Sequence, residues 1–301
     1  MFTFTSRRNL YGVLSNDKAS ANLTVGDTLM NALEKKISKK FNFLEASLYS
    51  STVASQQFYE LPKNFGKLKS ITVTIGTTKY QPILITSREQ WDNLNATTSV
   101  TSDVPEYCFI FNKEIGFYPK PSSATTNAIY IQYHKTLKDL SIADYTTGTI
   151  VSIANGGTAV VGSGTTWTVK MAGMFIQITD SSTANTGDGE WYEIESVTSA
   201  TALVLKVPYQ GLSISAGSGA YTIGQVSLLP EDIQILPVFQ ALVAYFTSVK
   251  PDTTKLTVYK GMVKEMEDSM MENYGSSSIS PVCSTEDFEM RNPNNYLFPS
   301  A

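Results

Sequence analysis

One histidine, two cysteines and a thin supply of charge set the first limits on this 301-residue chain. With His134 as the only imidazole, most zinc sites and most Ser/His or Cys/His catalytic pairs lack a ligand or base. His134 follows Tyr133 at a strand end and reads as a surface or hydrogen-bonded residue. Cys108 and Cys283 are too few for a disulfide framework, which points to a reducing compartment. The stretch Met1-Phe2-Thr3-Phe4-Thr5-Ser6-Arg7-Arg8 lacks the apolar run of a secretory signal. The matches to the glycosylation pattern at Asn22 and Asn95 therefore read as chance. No window reaches the roughly 18–20 apolar residues that span a bilayer, so no membrane is expected as a partner. Charged residues make up 17 % of the chain, against about 25 % in an average domain. The net charge of −4 gives no general attraction to nucleic acid or anionic lipid, yet a mildly acidic wall would let duplex DNA slide past without sticking.

Thr, Ser, Asn and Tyr replace the missing charge, and they suit β surfaces and extended contact faces. A hydrophobic fraction of 42 % is enough for a sizeable core. The apolar spacing predicts a short helix over about 5–14 and a long one over about 23–48. In the long helix Leu29, Leu33, Ile37, Phe41, Leu44 and Leu48 form one stripe, with Thr24 or Asp27 as the cap. Lys35, Lys36, Lys39 and Lys40 sit off the stripe, as a solvated or inter-subunit face or as a channel face touching phosphates. Alternating runs then predict strands at 58–61, 71–75, 107–111, 114–118 and 128–133, which we expect to form one small antiparallel sheet. A capped short helix is expected at Ser87–Trp91.

Between residues 145 and 226 the composition changes. This stretch holds 12 of the 19 glycines, two lysines (Lys170 and Lys206) and five acidic residues. Short alternating runs at 149–153, 158–161, 174–178, 191–197, 202–207 and 220–223 are separated by Asn155-Gly156-Gly157 and Gly187-Asp188-Gly189, which carry hairpin chemistry. They predict a small barrel or sandwich. Helical spacing returns over about 231–248, apolar on most sides, and over about 253–274, with Leu256, Tyr259, Val263, Met266 and Met270 on one face. Gly275 is the expected stop. The expected fold class is therefore α+β: a helix-and-strand frame (1–144), an inserted Gly-rich β module (145–226), a closing helical pair (227–274) and an extended tail (275–301). The tail carries Phe288, Tyr296, Leu297 and Phe298 without the spacing to bury them, which suits ordering on a partner.

Catalytic chemistry is sparse. Gly162-Ser163-Gly164-Thr165-Thr166-Trp167 lacks the lysine and the following helix of a phosphate loop, and reads as a hairpin packed by Trp167. Asp180, Asp188 and Glu190 do not have EF-hand spacing. Glu193 and Glu195 share one face of a strand, where a glycosidase pair would face across a substrate. Trp167, Trp191, Tyr192 and Tyr209 are the contact candidates of the β module, either as a sugar platform or as its core. No catalytic residue, cofactor or metal site is expected, and the chain reads as non-enzymatic.

The order of these elements resembles the head-to-tail adaptor (connector, or neck) proteins of tailed bacteriophages. Phe58-Tyr59-Glu60-Leu61-Pro62-Lys63-Asn64-Phe65 is similar to that family's strand and Leu-Pro turn, although Asn64 stands where an acidic residue is usual. Ile115-Gly116-Phe117-Tyr118-Pro119-Lys120-Pro121 resembles its hydrophobic strand ending in a P-x-P turn. Ile129-Tyr130-Ile131-Gln132-Tyr133 resembles its paired strand ending in Tyr. Leu229-Pro230-Glu231, with Ala241, Ala244 and Tyr245, resembles its closing helical pair. The resemblance covers about 1–140 and 227–275, and the β module stands where the family passes almost directly from strand to helix. It implies a ring of identical subunits, twelve being the expected number, docked on the portal protein and completing the DNA exit channel. The implied partners are the portal, reached by the tail residues, a downstream tail or nozzle protein, tail fibres, and double-stranded DNA passing without sequence specificity. The implied place is the virion neck, assembled in the bacterial cytoplasm. The alternative is a tail-side adhesin or fibre-attachment protein whose β module binds a glycan or another tail protein.

Overall fold

The computed structural model describes residues 1–96, 100–179, 187–215 and 219–274. The chain is mixed α and β, and it divides into two compact units. The first comprises Met1–Lys36 and Asp139–Met271. The second comprises Ile37–Lys138 with the end of the last helix from Glu272. The boundary near residue 36 falls within a helix.

In the first unit, α1 (Phe4–Ser15) is capped by Thr3, whose hydroxyl accepts from the Ser6 amide, and it ends at Asn16 in the left-handed conformation. α2 (Ser20–Phe41) starts three residues earlier than the spacing predicts. Asp17, not Thr24 or Asp27, serves its start by accepting from the Ala19 amide. Thr24 instead donates to the Ser20 carbonyl within the helix, and Asp27 lies beside Arg8. Tyr11 of α1 and Met30 of α2 are fully buried with Val238, Ala241, Leu242, Tyr245 and Phe246 of α4 (Leu236–Ser248). A 3₁₀ turn at Glu231–Ile233 precedes α4. α5 (Thr253–Tyr274) lays Leu256 and Tyr259 on that core, while Met270 is its only fully buried residue among those described. Gly275, the expected stop, lies outside the described residues.

The same unit contains a six-stranded sheet: β9 (Thr149–Ile153), β10 (Ala159–Ser163), β11 (Phe175–Ile178), β12 (Trp191–Ser199), β13 (Ala202–Leu205) and β14 (Tyr221–Gly224). Its order is β14-β11-β12-β13-β10-β9, antiparallel throughout. Bridges from Ile150 to Gly219 and from Ile153 to Ile214 curl the outer edge of β9 back towards β14. Inside lies a core drawn wholly from this stretch, including Ile150, Trp167, Ile176, Ile194, Leu205, Tyr209 and Ile223.

The second unit corrects two expectations. The long helix ends at Phe41, where Asn42 takes a positive φ of 52°, and Leu48 lies in strand β1 (Glu45–Ser50). A spacing of four fits one helical turn and also two strand repeats, so Leu44, Ala46 and Leu48 share a strand face. The second correction concerns the sheet, which is double. β1, β8 (Ile129–Lys135), β3 (Phe65–Ile75) and β4 (Thr78–Tyr80) form one, in the order β1-β8-β3-β4. β2 (Phe58–Glu60), β7 (Glu114–Tyr118), β6 (Tyr107–Phe111) and β5 (Ile83–Ile85) form the other, in the order β2-β7-β6-β5, with β5 parallel to β6. The two sheets share one core, built around Tyr59, Ile71, Cys108, Ile115, Phe117, Ile129 and Ile131. Both hairpin residues Asn112 and Lys113 have positive φ, the geometry a two-residue turn needs. α3 (Arg88–Ala96) packs Trp91 on Phe109, and the Ser87 hydroxyl accepts from the Gln90 amide.

Gly26 sits against the face of the Tyr11 ring, inside the reach that a methyl group would need. We therefore expect Gly26→Ala to lower stability by about 1–3 kcal/mol through overpacking, despite the better helix propensity of alanine. Urea unfolding of the two proteins checks this, and equal midpoints would refute it.

Candidate assembly surfaces

The first unit is organised around a buried polar cluster where the β strands join the helices. Arg7 on α1 and Glu34 on α2 are 1 % and 4 % exposed. The Arg7 guanidinium donates to Glu34 Oε2 at 2.6 Å and to Asn31 Oδ1 at 2.7 Å. Glu34 Oε1 accepts from the Ser227 hydroxyl. The Asn31 amide in turn holds the backbone of Leu140, donating to its carbonyl and accepting from its N–H. Both strands of chain leading to the six-stranded sheet are thus fastened to the same two helices.

Further ties reinforce the junction. Thr3 bridges to Val226 and donates to Asp144. Gln225 accepts the amides of Ser141 and Ile142, and Gln234 caps the Ser227 and Leu229 carbonyls. Tyr145 and Ile223 pair as an antiparallel bridge. Sequence reasoning did not single out this cluster. Its signal is a charged residue on a buried face: Arg7 is three or four positions from Phe4 and Tyr11, and Glu34 is four from Met30.

The four lysines of α2 are not one continuous face in use. Lys35 pairs with Asp139 at 2.6 Å, and the Lys40 ammonium lies 5.2 Å from the Phe41 ring centre. Lys36 is exposed. Lys39 lines a cleft of about 470 Å³ in the second unit, together with Ser38, Asn42, Leu44, Phe65, Gly66, Lys67, His134, Lys135 and Thr136. His134, the lone imidazole, is partly buried there. Burial pulls its pKa down, with Lys69 and Lys67 acting in the same direction against Glu45 and a hydrogen bond with the Asn42 backbone. Its Nδ1 is buried without a protein partner.

In the six-stranded sheet, Trp167, Tyr192 and Tyr209 are buried in the core, and Trp191 is half-buried. Trp167 donates its indole N–H to the Tyr221 hydroxyl. Glu193 and Glu195 lie on the outer face of β12, where Glu193 pairs with Lys206 at 2.6 Å. Burial pushes the Cys108 thiol up to about 12, which removes its nucleophilic form at neutral pH. Among the described residues no cluster of His, Cys, Asp or Glu is arranged to hold a metal ion, and no helix is long and apolar enough to cross a membrane. Asp180, Cys283, Phe288, Tyr296, Leu297 and Phe298 lie outside the described residues.

Comparison with known proteins identifies the family of the chain. No curated protein matches the chain. The model of the SU10 adaptor protein family matches residues 7–159, from α1 through both four-stranded sheets into β10. That family is a class of structural rather than catalytic proteins, components of the phage particle that contact other head and tail proteins. Matched over half its length, the chain belongs to the SU10 adaptor family, the head-to-tail adaptors of tailed bacteriophages.

Proposed function

We propose that the protein forms a closed ring of twelve copies between the portal and the tail and completes the channel through which DNA leaves the capsid. The observation that carries this reading is the family match over α1, α2 and the paired sheets. The long α5 supports it, since Met270 alone of its 22 residues is fully buried among the described residues. Val258 and Met262 lie one turn apart on that helix and are about half exposed, at 49 % and 40 %. Heterologous contacts of this kind close into a ring when their rotation closes. Lys36 is exposed and Lys40 is exposed beside the Phe41 ring, so both can face a neighbour or the channel, whereas the ion pair of Lys35 holds it within its own subunit. The net charge of −4 suits a passage that duplex DNA crosses without binding to sequence.

In this reading the β module faces outward, towards a downstream tail or nozzle protein or the fibres. The tail docks on the portal through Phe288, Tyr296, Leu297 and Phe298, becoming ordered as it binds. Assembly takes place in the host bacterial cytoplasm, and the ring remains in the virion neck. The half-buried Trp191 is the most reachable of the aromatic contact candidates in the module.

Negative-stain micrographs of the purified protein mixed with portal test the central claim: stacked rings are the expected image, and dispersed monomers would refute it. Deleting 276–301 should abolish portal docking while leaving the circular dichroism spectrum of the helices intact. Unchanged co-sedimentation of the truncated chain with portal would show that the aromatic tail is not the docking element. Replacing 146–222 by a short linker should preserve ring formation, because the Tyr145–Ile223 bridge brings the two ends side by side. A chain that no longer folds, or folds without assembling, would place the module inside the ring-forming structure.

A further inference from the structure

The cleft that gathers Lys39, Lys67 and Lys135 in the second unit lies beside the last described residue of the chain. Lys39 comes from the end of α2, Lys67 from β3 and Lys135 from β8, and no acidic residue lines the cleft with them. The nearby carboxylate of Glu45 is engaged at 2.5 Å by Lys69. Leu44 and Phe65 give the cleft an apolar part, and Ser38, Asn42 and Thr136 add hydrogen-bonding groups. Gly66 allows β3 to close on β8, since a side chain there would stand 2.7 Å from the His134 carbonyl. In a protein of net charge −4, a cleft lined by three lysines is electrostatically out of keeping with its surroundings.

Tyr274 packs edge-on against Phe43 with ring centres 4.9 Å apart, and Phe43 is flanked in sequence by the cleft residues Asn42 and Leu44. The chain therefore leaves the described structure at the rim of this cleft. Twelve residues further on it reads Glu286-Asp287-Phe288-Glu289, three carboxylates around one aromatic ring. Twelve residues extend to about 40 Å, far more than the return requires. The pattern of this stretch matches the lining of the cleft, with carboxylates for Lys39, Lys67 and Lys135 and a ring for Leu44 and Phe65.

We propose that this cleft is the docking site of the acidic stretch Glu286–Glu289 of the same chain. Because the two parts are tethered, the local concentration is in the millimolar range, so a contact too weak to hold a free peptide can still be occupied. The inference is separate from portal docking, although Phe288 cannot occupy the cleft and a portal surface at once.

Zero-length carbodiimide coupling of the full-length protein, without portal, tests it, with the joined peptides identified by mass spectrometry. The expected products join Lys39, Lys67 or Lys135 to Glu286, Asp287 or Glu289. Their yield should fall several-fold in 1 M salt, where the screening length drops to about 3 Å. The triple exchange Glu286→Lys, Asp287→Lys and Glu289→Lys should abolish the products, and adding Lys39→Glu, Lys67→Glu and Lys135→Glu should restore coupling with the roles reversed. Coupling of the three lysines only to other carboxylates, or to none, would overturn the proposal. In a mixture of ¹⁴N- and ¹⁵N-labelled protein, mainly hybrid-mass products would overturn it too, by assigning the occupant to a second copy.

Discussion

The junction between the helices and the six-stranded sheet depends on keeping the Arg7–Glu34 pair satisfied away from water. Moving an ammonium- or carboxylate-sized charge out of water costs several kcal/mol per ion even after relaxation, and one salt bridge rarely repays that alone. Here the repayment is spread over three elements: Asn31 takes a second guanidinium donor, and Ser227 donates to the other carboxylate oxygen. Among the described residues Arg7 Nε keeps no partner, so the cluster is not fully balanced. The arrangement stabilises one geometry more than it stabilises folding as such. A hydrophobic substitute of equal volume could pack there, but it would not dictate that residues 140 and 227 meet at the same point on α1 and α2.

That constraint explains why the six-stranded sheet can sit between two helical segments without disturbing them. Its core is self-contained, with all its buried members between Ile150 and Ile223. Its ends are drawn together by the Tyr145–Ile223 bridge and tied by Thr3 to Asp144 and Val226. A stretch that closes on itself and departs from adjacent points changes little in the chain on either side. The surface of such a sheet can vary at small cost to the helices, because the two cores share few requirements.

Much of this was legible in the sequence wherever the determining contacts are local. The six strands of the β module follow from alternation and glycine-rich turns, and the observed bounds differ from the expected ones by about two residues. The hairpin at Asn112-Lys113 and the short helix at Ser87 follow from turn and cap chemistry. What the sequence withheld was non-local. Leu44 and Leu48 continue a helical spacing that also fits a strand, and only pairing of Glu45–Ser50 with Ile129–His134 decides between them. The division of eight strands into two sheets, with β5 parallel to β6, likewise rests on partners far apart in the chain. Arg7 and Glu34 were passed over because a charge on an apolar stripe usually marks the edge of a helix face, and nothing local says that the two will meet.

The lysines show the same limit from the functional side. Read along α2, Lys35, Lys36, Lys39 and Lys40 look like one basic face. In the fold they have different environments: an ion pair for Lys35, a phenyl ring for Lys40, open solvent for Lys36 and a cleft for Lys39. The positive potential gathers instead where α2 meets β3 and β8, through Lys67 and Lys135, which are 28 and 96 residues beyond Lys39 in the chain. Charge on an exposed helix is dissipated by water and salt, whereas the same charge on the walls of a cleft acts across a region of lower dielectric. That difference makes the cleft, rather than the helix face, the place where several of these lysines can act together.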